Sequence, residues 1–201
     1  MSTTSPTSSP SVSNTLDFLR LIGSLKTTKR TGWVRNQVSL PESISDHMYR
    51  MSLIALTLPT PTNRDKLIRM ALVHDLAECI VGDITPHDNV SKQQKRKLED
   101  DAMRHIRDNV LNGSDIGLEL YRLWAEYELG QTDDAKLVKE IDKFEMILQA
   151  DEYERHQTVH LQQFFDSTQD CFHTPFLTAL DKQLRTTRQH RLSESTPSTH
   201  P

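Results

Sequence analysis

Between Met70 and Ile84 the chain reads MALVHDLAECIVGDI, and three titratable residues stand where a helix would place its core. Leu67, Ala71, His74, Asp75 and Glu78 follow steps of i, i+4, i+7, i+8 and i+11. Those steps mark one face of a helical period. The first two residues are apolar and the last three are not. An unpaired carboxylate turned into a core is costly even after relaxation. A His, an Asp and a Glu on one inward face therefore need a shared partner. A divalent cation suits imidazole nitrogen and carboxylate oxygen together.

The same stripe test finds partners elsewhere. His47 shares a face with Met51, Ile54 and Leu58, and Asp142 and Glu145 lie on or beside the stripe of Val138 and Ile141. His47, His74, Asp75 and Asp142 thus form a candidate set of two imidazoles and two carboxylates drawn from three helices. Such a set can hold one divalent ion and leave positions for water and substrate. Taken singly, His47 reads more readily as a hydrogen-bonded core histidine than as a ligand, and Asp142 as a surface partner of Lys139 or Lys143. Glu78 and Asp83 beside the four favour the site. Other titratable groups read as peripheral. His156 and His160 have helical i, i+4 spacing but no third ligand nearby. His87 reads as a solvent-exposed loop residue, with a place bordering the site as the alternative. The run KQQKRK (92–97) reads as a solvated face balanced by Glu99 to Asp101. Trp124 and Tyr127 read as core packing or a dimer face.

The elements that must position these residues read as helices. From Thr62 to Thr174 the one proline is Pro86, and proline costs about 3 kcal/mol inside a helix. No run alternates with period two, so no sheet is expected and the fold class is all-α. Expected helices cover Thr15–Leu25 with Leu16, Leu19 and Leu21/Ile22 inward, then about Ser43–Leu58, ended by Pro59 and Pro61. Lys26 to Asn36 reads as a polar loop between them. Asn63 would cap a third helix running unbroken to about Val81. Ser91-x-x-Gln94 would open a fourth, with Leu98, Ala102 and Ile106 inward. Leu118–Leu129 follows, then Thr132 caps a long helix to about Glu154, and Pro175–Arg188 closes the domain.

Composition bounds the rest. The 201 residues carry 35 % hydrophobic residues and a net charge of −4, enough for one domain with tails. Residues 1–13 contain eleven Ser, Thr or Pro, and 190–201 has the same character. Both are expected to be disordered tails around a domain at 14–189. No strongly basic face is evident, so polymeric nucleic acid is not an expected partner. The most apolar run, Leu53–Leu58, is far short of the roughly 20 residues that span a bilayer. No membrane association is expected. The N-terminus lacks a secretory pattern, and no Arg or Lys precedes Arg20, which argues against an organelle transit peptide. Cys79 and Cys171 lack CxxC spacing and read as reduced thiols. A cytoplasmic location, extending to the nucleus, is expected.

The spacing of His47, His74-Asp75 and Asp142 resembles the H…HD…D pattern of HD-domain phosphohydrolases. PESISDHMYRMS (41–52), HDLAECIVGDITP (74–86) and AKLVKEIDKFEMILQADEYE (135–154) resemble its 5′-deoxynucleotidase branch, the HD-domain-containing protein 2 group. The resemblance covers about Leu16 to Leu184. It implies a single HD-domain helical bundle with one divalent cation (Mn, Co or Mg) on His47, His74, Asp75 and Asp142. The implied reaction releases phosphate from deoxyribonucleoside 5′-monophosphates. By motif, Glu78 would position or deprotonate the attacking water, and Asp83 would be a further catalytic acid. In some relatives Glu78, Asp83 and the carbonyl of Ile84 hold a second cation. Arg30, opening RTGWVRN (30–36), matches the family's phosphate-binding arginine, and a guanidinium can grip phosphate bidentately. Some bacterial relatives carry a Trp directly after this Arg, near the sugar. Here Thr31 departs from that pattern and the Trp lies at 33, so Trp33 joins Arg30 as a candidate substrate-binding residue. Relatives are commonly homodimers, so a homodimer is expected. Two other readings compete. One is an HD-type phosphohydrolase or phosphodiesterase acting on an alarmone, a cyclic nucleotide or a deoxynucleoside triphosphate. The other is a non-catalytic helical module with a structural metal.

Overall fold

Capping residues and prolines divide the chain into helices that pack around one centre. The structure, a computed structural model, describes residues 9–59, 63–85 and 88–194. Among them, α1 spans Val12–Ile22 and passes into a 3-10 turn at Gly23–Lys26. It is followed by α2 Thr31–Arg35, α3 Ile44–Thr57, α4 Arg64–Ala71 and α5 Glu78–Val81. Then come α6 Lys92–His105, a π turn at Ile106–Val110, α7 Asp115–Leu129, α8 Asp133–His156, α9 Gln162–Asp166 and α10 Pro175–Glu194. No β-strand occurs among the described residues; one antiparallel bridge joins Lys29 and Ser43. The all-α expectation holds.

Several boundaries follow the residues named for them. Ser43 and Asp46 form a reciprocal capping box at the start of α3, and Ser91 and Gln94 do the same for α6. Thr132 accepts the Ala135 amide to open α8. Gly130 ends α7 in the left-handed conformation at φ 60, where glycine lacks the Cβ penalty. Each such cap contributes about 1 kcal/mol. Together they fix where the site-bearing helices begin.

Other boundaries differ. Ser11 accepts the Asn14 amide, so α1 starts at Val12, inside the segment set aside as a tail, and α10 continues past Arg188 to Glu194. Leu16 and Leu19 of α1 are 46 % and 54 % exposed rather than inward, and Leu98 is likewise exposed. Phe18, Leu21 and Ile22 make the contact of α1 with the core instead. The loop expected at 26–36 contains α2, and 157–174 contains α9. Both cysteines are free thiols, as expected. His87 and Pro61 lie outside the described residues.

The third helix is not continuous. Its backbone leaves the α-helical pattern after Ala71 and resumes at Glu78. Between them run i+3 bonds: Val73 to Met70 at 3.1 Å, Leu76 to Val73 at 2.9 Å and Glu78 to Asp75 at 3.0 Å. These turns are tighter than α. The His74 ring supports the break by bonding the Ala71 carbonyl at 2.9 Å. The helical stripe therefore found the right residues through a helix that is interrupted where they stand. Around them α3, α4 and α8 pack together, with Ile44, Met51, Leu67, Met70, Ile141 and Ile147 fully buried. Each fully buried side chain of this size contributes about 1.5–3 kcal/mol, enough in sum to hold polar groups at the centre.

Candidate metal centre

Each imidazole is oriented from behind. His47 projects from α3 with its ring fully buried, and its Nδ1 lies 2.5 Å from Glu145 Oε2 of α8. Glu145 also accepts Arg50 Nε at 2.7 Å. His74 stands in the tight turns after α4, its Nδ1 on the Ala71 carbonyl. A carbonyl can only accept, so Nδ1 of His74 carries a proton and donates it there, which turns Nε2 toward the centre. Nε2 of both rings is buried without a hydrogen-bond partner. Buried polar atoms are nearly always paired, so two facing inward mark a site. A rear partner that fixes the tautomer is the usual support of a metal-binding histidine.

Carboxylates complete the centre. Asp75 Oδ2 lies 3.0 Å from His74 Nε2 and 3.9 Å from His47 Nε2. Asp142 Oδ1, from α8, lies 3.2 Å from His47 Nε2, and its Oδ2 accepts the Tyr127 hydroxyl at 2.8 Å. One ligand atom each from His47, His74 and Asp75 falls within 4.8 Å of the others. Two nitrogens and two carboxylate oxygens fit a divalent ion by donor type. His47, His74 and Asp75 form one such group, and Asp142 adjoins it through His47.

The electrostatics match. Burial and Arg30 pull the His47 pKa down, but Glu145 and Asp142 outweigh them and raise it to about 9. Burial opposes ionisation of Asp75, yet His74, His47 and Arg30 lower it to about 2. Asp142 is likewise held low against burial, mainly by His47. Glu78, on α5, goes the other way. Burial, then Asp75 and Asp83, push it up to about 10, and its Oε2 has no partner. The charges of Lys95 and Arg30 pull the other way without offsetting these.

Arg30 caps α2 and reaches the centre from the opposite wall. Its Nη1 is 3.5 Å from Asp75 Oδ2 and its Nε 3.6 Å from Glu42 Oε1. Trp33 is 1 % exposed. It packs against Phe164 and Tyr153 at 4.5 Å and 5.4 Å, and donates its indole N–H to the same Glu42 oxygen at 2.8 Å. One face of it lines a cavity of about 430 Å³ shared with Arg30, Asp83 and Phe164. Asp83 Oδ2 accepts the Thr31 amide at 2.6 Å, which ties the stretch after Gly82 to the start of α2. The Ile84 carbonyl accepts Lys95 Nζ at 2.8 Å. A second cavity, of about 380 Å³, opens on His74, Asp75, Asp142 and Lys95.

Four neighbours were not singled out in the sequence. Glu145 was visible on the α8 stripe, three residues after Asp142, but its role needs the distance to His47. Tyr127 was assigned to packing; it holds Asp142 and sets its ring 4.9 Å from His74. Glu42 gave no signal beyond its place in a motif. Lys95 was read as a solvated charge, yet it turns inward while Lys97 stays exposed and pairs with Asp101. His156 ends α8 and His160 lies in the following loop, so the two do not share a helix face.

An all-helical bundle that places two imidazoles and two aspartates side by side at its centre, as a candidate metal site, has an HD-type arrangement. Residues 22–179 match the HD domain family. A relative from Dictyostelium discoideum named 5′-deoxynucleotidase HDDC2 is 48 % identical over 89 % of this chain and 100 % of its own length. The human protein of that name is 46 % identical over 92 % of this chain and 91 % of its own. Among solved structures, yeast YGK1, described as an HD domain-containing protein, superposes with a TM-score of 0.68. It is 29 % identical over 92 % of this chain and 90 % of that one. The chain belongs to the HD-domain family.

Proposed function

We propose that this protein is a divalent-metal-dependent 5′-deoxynucleotidase, hydrolysing deoxyribonucleoside 5′-monophosphates to deoxyribonucleosides and phosphate. The observation that carries the reading is the pair of buried, unpartnered imidazole nitrogens facing Asp75 and Asp142, with the Arg30 guanidinium 3.5 Å from Asp75. Full-length similarity to relatives named 5′-deoxynucleotidase supports the substrate class.

In this reading His47, His74, Asp75 and Asp142 hold one ion, Mn²⁺, Co²⁺ or Mg²⁺. When bound, it supplies Lewis-acid charge that polarises phosphate and acidifies water. Arg30 grips the phosphate and offsets charge that builds on its oxygens. Glu78 takes the proton of the attacking water, which requires it to ionise; cationic charge nearby favours that. Asp83 acts through the Thr31 amide, keeping α2 and Arg30 against the centre. Trp33 holds Glu42, which holds Arg30, and it lines the cavity beside Arg30 where the nucleoside would sit. The structural-module alternative loses support because a structural ion needs neither Glu78 nor Arg30. Among the described residues, no helix is long and apolar enough to cross a membrane. A cytoplasmic homodimer remains part of the proposal, and light scattering of the purified protein checks the dimer.

The test is phosphate release from the deoxyribonucleoside monophosphates and their ribose counterparts, with each metal. Deoxy substrates are expected to be preferred. Release of pyrophosphate or triphosphate would instead favour another HD-type hydrolase. Glu78→Gln is expected to keep the metal and lose about 10²–10⁴ in kcat; a normal kcat would remove it from its role.

A further inference from the structure

Helix α9 presents two consecutive aromatic rings in different surroundings. Phe165 is 1 % exposed and serves the core. Phe164 is half-buried, packs on Trp33 at 4.5 Å and lines the cavity of about 430 Å³ shared with Arg30. A Cβ on Gly32 would touch its ring at 3.5 Å and 3.6 Å. Gly32 lines the same cavity, so the missing side chain leaves those ring atoms uncovered. Met146 of α8 lines it as well, partly buried against the core.

Arg30, 3.5 Å from Asp75, joins this cavity to the metal centre. Trp33 is almost wholly covered and backs the Phe164 ring rather than offering surface of its own. The amides of Gln163 and Asn36, which also line the cavity, bond each other at 2.7 Å. The cavity of about 380 Å³ on the other side differs. Lys92, Arg96, Glu128 and Lys139 line it, and its one aromatic ring, Tyr127, has Lys139 Nζ over it at 3.9 Å and the His74 ring at 4.9 Å. A charged wall suits phosphate, and a bare ring suits a flat, weakly hydrated base.

We propose that Phe164 is the platform on which the nucleobase of the substrate stacks, with Met146 beside it and the phosphate directed to Arg30. This rests on the function proposed above and assigns the base-binding part of the same site. Every base has a face that can stack on an aromatic ring, and a thioether adapts its shape to a flat neighbour. The platform meets the base and not the reacting phosphorus. It therefore binds ground and transition states alike, and its loss appears in KM rather than kcat.

The test compares dAMP with 2-deoxyribose 5-phosphate, which carries the same phosphomonoester without a base. In wild type the KM for dAMP is expected to lie about 5–150-fold below that for the sugar phosphate, the range that base–aromatic stacking spans. Phe164→Leu keeps apolar packing on Trp33. It is expected to remove most of that difference by raising the dAMP KM, with kcat and the sugar-phosphate KM unchanged, while Phe164→Tyr keeps the difference. Equal KM values in wild type would overturn the proposal. So would a Phe164→Leu protein that loses both substrates equally, since that loss runs through Trp33 and Arg30. A second measurement keeps the Phe164 ring in place, should the variants misfold. Irradiation of 5-iodo-2′-deoxyuridine 5′-monophosphate with Mn²⁺-loaded Glu78→Gln protein is expected to attach the label at Phe164; a label at Tyr127 alone, or none, counts against the platform. Should wild type hydrolyse neither phosphomonoester, the functional reading fails and the label alone decides the platform. Hydrolysis of both with equal KM removes the platform and leaves the function standing.

Discussion

Helix α8 carries the pattern Asp-x-x-Glu twice, as Asp142–Glu145 and as Asp151–Glu154, and the two copies do opposite things. At the second, both acids are closed by arginine. Glu154 accepts Arg188 Nε at 2.7 Å, Arg188 Nη2 at 3.0 Å and the Leu161 amide at 2.8 Å. Asp151 accepts Arg155 and Arg191, each at 2.6 Å. These pairs strap α10 and the loop after α8 to the body. At the first copy Arg50 holds one oxygen of Glu145, but the other oxygen and Asp142 both meet His47, whose far nitrogen faces Asp142 with no hydrogen bond of its own. Arginine does not give up its proton and so closes a carboxylate permanently. Histidine can release one and offer a lone pair. A functional centre differs from a structural strap here by what the partner can surrender, not by the number or burial of the acids.

Matched substitutions test this most severely. Asp142→Asn removes a charged ligand, and metal binding and phosphate release are expected to disappear together. Asp151→Asn, the same chemical change nine residues along the helix, is expected to leave the metal bound and the specific activity of folded protein unchanged. Elemental analysis and phosphate release on both variants decide it. A metal-free Asp151→Asn or a metal-loaded Asp142→Asn would break the comparison.

The next largest effect is on stability. Arg188→Ala leaves Glu154 buried without its main cation. Removing one partner of a buried pair costs about 3–5 kcal/mol, so urea unfolding is expected to shift by that much. Activity per folded molecule should stay normal below the transition. Arg188 also lies over the Phe165 ring at 3.9 Å, so Arg188→Met, which keeps much of the packing, separates that loss from the charge. Glu145→Gln, at the other copy, touches the ion only through His47. Losing such a rear partner lowers metal affinity about 10–100-fold, measurable by Mn²⁺ titration.

The contrast also explains what could be read from residues alone. Helical periodicity placed His47, His74, Asp75, Glu78 and Asp142 inward, because that signal depends on local spacing. It did not reveal that Glu145 and Glu154 are both held, because their partners come from distant segments, α3 in one case and α10 in the other. Lys95 was misread for the same reason: whether a lysine on a charged helix turns inward depends on a carbonyl eleven residues earlier. The interruption at Leu72–Ala77 was hidden as well, since no Pro or Gly marks it. The break follows from the His74 side chain bonding backward to Ala71 and from packing between α3 and α8.

The smallest expected effect concerns acid. Against its burial, hydrogen bonds from Arg188 and the Leu161 amide, with the charges of Arg188 and Arg191, lower the Glu154 pKa. In the unfolded chain a Glu titrates near about 4.3. Around and below that value the unfolded state binds more protons, so stability rises with pH there. The contribution of Glu154 is therefore fully present above the unfolded value and is lost as pH falls through the folded one. Unfolding midpoints of wild type and Glu154→Gln are expected to differ by a constant amount at neutral pH and to converge on acidification. A difference that stays constant into acid would mean that the strap acts through shape, and the distinction drawn from the partners' protons would then apply to the metal end of α8 alone.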